Sequence, residues 1–170
     1  MGITAADRRT VVDIARDAGG WDSLGFDVGD WLGRCVDQAA AFLGRTSEEV
    51  SILLTDDRHI KRLNRDFRHQ DSATNVLAFP TAGGPPHTVG DGPPGQLVGD
   101  IVLAFETVSR ECRKTGRPMA HHMAHLCIHG YLHLQGFDHL NDSDAAAMER
   151  AEVAILGLLD IASPYRQAGS

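Results

Sequence analysis

The segment His129-Gly130-Tyr131-Leu132-His133-Leu134-Gln135-Gly136-Phe137-Asp138-His139 constrains this chain more than any other stretch. Residues four apart on a helix are neighbours on one face, so His129 and His133 can aim ring nitrogens at one point. A third imidazole cannot come from the next turn of the same straight helix, because the face drifts by about 40° with every four-residue step. Gly136 removes that obstacle: a glycine can take a left-handed conformation, end the helix and swing the chain back. His139 then completes a three-histidine site suited to zinc. Three protein ligands leave a coordination position open, the mark of a catalytic rather than a structural ion. The plain alternative is a helix whose histidines are packed or solvated. With nine histidines in 170 residues, an isolated HxxxH arises by chance about 0.5 times, and adding the glycine and third histidine lowers this to about 0.003 for random placement.

The spacing is that of the zinc-protease pattern HExxHxxGxxH with one change: Gly130 stands where those proteases carry the glutamate that activates water. The metal site is left intact and the peptidase base is missing, so hydrolysis of another bond is the better expectation. His125 and His121 lie one and two turns earlier, and the drift of the helix face keeps all five histidines from sharing an ion. His125 reads as a group behind the ligands, as one facing substrate, or as a partly buried residue bonded to backbone. Asp138 reads equally as a carboxylate that orients a ligand imidazole or as the cap of the turn. Cys127 points away from His129 and reads as a small core residue.

The rest of the chain reads as alternating elements. Strands are expected over 10–14, 50–54, 74–79 (ended by Pro80) and 97–105, the last interrupted at Gly99-Asp100. Helices are expected over 28–43, from Asp56 or Asp57 to Arg68, over 106–115 and over 118–134, with a fifth capped by Ser143 that sets Met148, Ala151, Ile155 and Leu158 at core spacing. Gly19-Gly20 breaks the chain, and 81–96, with five glycines and four prolines, reads as a flexible loop. About four strands flanked and followed by about five helices give an α+β fold with a small mixed sheet, expected as a single domain over 1–170.

Composition excludes some classes. No apolar run approaches the roughly 20 residues of a membrane span, and 1–10 lacks the apolar core of a signal peptide. Three scattered cysteines, Cys35, Cys112 and Cys127, form no CxxC pair, which suits a reducing cytoplasm. The formal charge of −7 argues against nucleic acid, yet Arg58, Lys61, Arg62, Arg65 and Arg68 fall within eleven residues. On that helix Ile60, Leu63 and Phe67 are expected to share an inward face. The cations around them are either a solvated face or a surface that tracks phosphates.

At this point the residues resemble a known family. His129–His139 looks like the HGxLHLxGxDH signature of the YbeY family of bacterial rRNA maturation factors, also called endoribonuclease YbeY. Further agreement runs through 63–68, Asp71, the 74–80 stretch Thr-Asn-Val-Leu-Ala-Phe-Pro, Gly99-Asp100-Ile101-Val102, and Met148-Glu149; the likeness covers roughly 50–159. Ala73 and Ala78 stand where the family commonly has Pro and Ser, and the 81–96 loop is long. The resemblance implies a mixed α/β fold with a zincin-like metal helix, and one metal, usually zinc, on the three signature histidines. It also implies a single-strand-specific endoribonuclease acting in 16S rRNA 3′-end maturation and ribosome quality control, with Arg68 tied to activity. The expected partners are single-stranded RNA, 16S rRNA and the small ribosomal subunit, with neither DNA nor membrane among them. His125 and Asp138 are candidate bases, and Arg58, Lys61, Arg62 and Arg65 candidate RNA contacts. The rival readings are a metalloprotease-like hydrolase, which Gly130 disfavours, and a non-catalytic ribosome-assembly factor with a structural metal.

Overall fold

The computed structural model describes residues 10–45, 48–81 and 96–165; most of the stretch expected as a flexible loop, 82–95, lies outside the described residues. The element order is β1 (Val11–Arg16), a 3₁₀ turn (Gly19–Ser23), α1 (Val28–Phe42), β2 (Glu48–Thr55), α2 (Asp57–Arg68), β3 (Val76–Pro80), β4 (Gln96–Ala104), α3 (Phe105–Thr115), α4 (Met119–Leu134) and α5 (Asp142–Leu158). The fold is α+β, as the pattern of periodicities implies: four strands in the order β1-β2-β4-β3, with five α-helices. β1, β2 and β4 run parallel, and β3 pairs antiparallel with β4 at the sheet edge. No helix among the described residues is long and apolar enough to cross a membrane.

Side chains alternate across a strand, and this divides the core into two layers. Val50, Ile52 and Leu54 of β2 and Ile101 and Leu103 of β4 face a large cluster completed by α1, α4 and α5. Val102 and Ala104 of β4, with half-buried Leu53, Leu77 and Phe79, face the other way and meet Ile60 and Leu63 of α2. Cys127 and Cys35 are both fully buried in the larger cluster.

Several local expectations are corrected. Gly19-Gly20 does not simply break the chain. It opens the 3₁₀ turn that buries Trp21, whose indole donates to the Thr55 carbonyl at 2.9 Å; a Cβ on Gly20 would lie 2.6 Å from the Phe105 ring. Gly99 does not interrupt β4: the strand carries on through a register shift against Glu49 and Val50. A Cβ on Gly99 would sit 2.4 Å from the Phe79 carbonyl oxygen, which is why the strands can approach there only through glycine. Pro80 is the last residue of β3 rather than its terminator, which an edge strand tolerates. The cap of α5 is Asn141, whose side chain accepts from Asp144 N–H, not Ser143. Leu158 is 55% exposed, since the buried line of α5 runs Met148, Glu152, Ile155 and on to half-buried Leu159, with Ala151 and Leu156 beside it. Phe67 is 65% exposed, because the inward line of α2 passes through Ile60 and Asn64 instead.

Candidate functional site

Helix α4 lies on β4 where Gly130 sits, and a Cβ at that position would be 3.1 Å from Ile101 Cγ2. The missing side chain, where a protease pattern carries its base, therefore lets the metal-pattern helix rest close against the sheet. At the end of α4 the chain turns as its sequence requires: Gly136 has φ +98°, and Phe137 N–H returns to the Leu132 carbonyl. This turn brings His139 back over the helix. Its ring centroid lies 5.4 Å from that of His129 and 4.7 Å from that of His133. One nitrogen from each of His129, His133 and His139 falls within 4.8 Å of the other two.

The donor set fits a cation. His129 Nδ1 lies 2.5 Å from Glu152 Oε1, and His133 Nδ1 lies 3.0 Å from the Phe137 carbonyl oxygen. Both oxygens are acceptors, so each Nδ1 carries the ring proton when the imidazole is neutral. The two Nε2 atoms are then bare, and they face each other at 3.1 Å. Lone pairs that close repel unless a proton or a metal ion stands between them. Burial, and then the neighbouring His129 and His139, hold the His133 pKa below the ordinary histidine value, which favours the neutral form that a metal binds.

Glu152 is the residue sequence reasoning missed. It is fully buried, and besides His129 it accepts from His125 Nε2 at 2.9 Å and from the Tyr165 hydroxyl. Burial works to raise its pKa, but the bonds from His125, His129 and Tyr165 outweigh it and hold the value at about 2. A signal was available: on α5 a carboxylate falls four residues after Met148 and three before Ile155, on the core-facing line. A charge at such a position needs partners, and a row of histidines on the neighbouring helix supplies them.

The remaining candidates divide. Arg68, at the end of α2, lines the same cleft of about 750 Å³ as the three histidines, together with Asn64, Asn75 and Asp138. Its Nη2 donates to the Ala78 carbonyl of edge strand β3 at 2.5 Å. Asp138 lies in the cleft, exposed, and accepts from the His139 backbone N–H at 2.8 Å. His125 is not brought into the cleft; its partner is the Glu152 carboxylate rather than backbone, so it stands behind His129. Arg58, Lys61, Arg62 and Arg65 are exposed along α2 outside the cleft, and Arg65 pairs with Asp66 at 3.1 Å. Asn75 is held from behind, its Nδ2 donating to Glu111, which also meets His122 Nε2 at 3.0 Å.

The model of the family described as endoribonuclease YbeY matches residues 23–160. The chain belongs to the endoribonuclease YbeY family. A YbeY relative from Dinoroseobacter shibae is 44% identical over 167 residues, covering 92% of this chain and 91% of the relative. One from Rhizobium meliloti is 38% identical over 162 residues, covering 91% and 94%. Both carry the name endoribonuclease YbeY. In fold the chain is similar to the solution structure of TM1509 from Thermotoga maritima, with a TM-score of 0.54 at 20% identity, over 94% of this chain and 99% of the other. The family match takes in α1 to α5, and with them each histidine, Arg68 and Glu152.

Proposed function

We propose that this chain is a metal-dependent, single-strand-specific endoribonuclease that acts in the cytoplasm in 16S rRNA 3′-end maturation and ribosome quality control, with zinc held by His129, His133 and His139. One observation carries the reading: in a member of the endoribonuclease YbeY family, three clustered imidazoles, two of them with bare, facing nitrogens, share a cleft with an arginine. When bound, the ion supplies Lewis-acid polarisation of a phosphodiester oxygen and acidifies water. The protein does the rest. Glu152 and the Phe137 carbonyl fix the tautomers of His129 and His133, leaving each Nε2 free for an ion. Arg68 offers a planar guanidinium that suits phosphate oxygens, and its bond to Ala78 sets its reach across the cleft. Asp138 is the carboxylate in the cleft for proton transfer, with the RNA 2′-hydroxyl as the alternative internal nucleophile; His125 is turned toward Glu152 and serves the site through it. The exposed cations of α2 hold the RNA backbone near the cleft and make binding salt-dependent.

The test is elemental analysis beside a single-stranded RNA cleavage assay, on wild type and the His133→Ala and Arg68→Ala variants, after rigorous removal of contaminating ribonuclease. Wild type should carry one metal per chain and cleave. His133→Ala should lose both, and Arg68→Ala only cleavage. A metal-loaded wild type that binds ribosomal particles and cuts nothing would replace this reading with that of an assembly factor.

A further inference from the structure

Phe67 stands out on the surface. It lies at the fourth helical step from Leu63, where an apolar residue should pack inward, yet it is 65% exposed. It is not loose. Its ring meets that of Phe79 edge-on, at 5.5 Å between centroids and 65° between planes. Phe79 in turn carries the Arg68 guanidinium over its ring, with Cζ 5.4 Å from the centroid. The half-buried Phe79 thus joins Phe67 to Arg68 in one stack, anchored by the Arg68–Ala78 bond. Of the three, Arg68 lines the histidine cleft, while Phe79 lies on the opposite face of the sheet, packed with Ile60 and Leu63 of α2. The stack therefore runs outward from the cleft through Arg68, with the exposed Phe67 ring outermost.

An apolar ring held toward water at the end of a cationic helix matches what single-stranded nucleic acid needs: cations for the phosphates and an aromatic surface for a base. Arg68 follows Phe67 on α2, and the exposed Arg58, Lys61, Arg62 and Arg65 lie earlier along the same helix. We infer that Phe67, buttressed by Phe79, is a stacking subsite for one unpaired nucleobase of the RNA whose phosphate lies at Arg68. The inference rests on the endoribonuclease reading above. It also assigns a source for single-strand preference, because a base can stack on Phe67 only after leaving a duplex.

The experiment uses the metal-loaded full chain with Phe67→Leu and Phe67→Trp, a single-stranded oligoribonucleotide, its duplex, and a matched strand with one abasic position moved along it. Phe67→Leu should raise KM for the single strand about tenfold, the scale of one lost base stack, with the loss in KM rather than kcat. Phe67→Trp should restore KM, and its indole fluorescence should be quenched by the single strand and not by the duplex. One abasic position should cost wild type as much as Phe67→Leu does, and cost Phe67→Leu nothing more. An unchanged KM in Phe67→Leu, equal quenching by duplex, or loss of self-association as the variant's sole effect would overturn the subsite while leaving wild-type cleavage in place. If wild type itself neither binds nor cuts RNA, the endoribonuclease reading fails first, and the subsite with it.

Discussion

The two walls of the cleft are built in opposite ways. The α4–α5 wall places its chemistry among buried groups: a fully buried Glu152 holds His129 and His125, and a backbone carbonyl holds His133. The α2–β3 wall exposes its chemistry. Arg68 is held to the edge strand by a hydrogen bond and a ring contact, and beyond the cleft Arg58, Lys61, Arg62, Arg65 and Phe67 all face solvent. A charged group out of water must have its partners fixed, and that same fixing orients a ligand ring. A surface that receives a flexible polymer gains more from cations and an open ring than from rigidity. The first wall is suited to hold an ion in one geometry, and the second to hold many sequences.

His133→Ala removes a member of the buried wall, and metal measured by elemental analysis should fall to background, with cleavage following it. Arg68→Ala acts on the other wall alone: metal content should stay at the wild-type level while the cleavage rate falls about a hundredfold, the scale of one lost charge-stabilising donor. Loss of metal in that variant would mean the two walls are structurally one. Glu152→Gln keeps the shape but withdraws the charge behind His129. Metal affinity in a chelator competition should weaken about 10- to 100-fold, and an unchanged affinity would make Glu152 a packing residue. The smallest effect belongs to the cations outside the cleft. Replacing Lys61, Arg62 and Arg65 with Ala, one at a time, should each lower the slope of log affinity against log salt by about 0.7 and leave metal binding untouched.

Acid should dismantle the buried wall in two stages in the metal-free protein. His133 and His122 are held below the ordinary histidine value of 6.5, with burial as the leading cause for both. The unfolded chain therefore takes up protons first, and stability begins to fall as pH drops below 6.5. Glu152 titrates near 2 against an ordinary 4.5; its contribution is complete above pH 4.5 and is lost as pH falls toward 2. Thermal melts from pH 8 to 2 should show both stages, and Glu152→Gln should remove the lower one.

Much of the fold was legible because periodicity is local. The bounds of α1 and α2 and the glycine stop after α4 follow from spacing and caps within a few residues of each other. The convergence of three histidines was legible for the same reason, since His129, His133 and His139 lie within one helix end and its turn. What was hidden depended on distant chain. Phe67 looked like a core residue by spacing, but which line of α2 faces inward is set by β4 and by Asn64, whose side chain ties down the Ser72 carbonyl at 2.9 Å. Glu152 could not be paired with His129 until α5 was known to lie on α4. The α5 cap was ambiguous because Asn141, Asp142, Ser143 and Asp144 are all capable residues.

The central claim is that three imidazoles meet on one ion and leave a position free. X-ray absorption at the metal edge of the purified, zinc-loaded protein measures this directly. Three imidazole nitrogens are expected at about 2.0–2.1 Å, with a fourth, light-atom ligand that exchanges with added anion. A fourth histidine, or a thiolate sulfur at about 2.3 Å, would describe a closed structural site and contradict it.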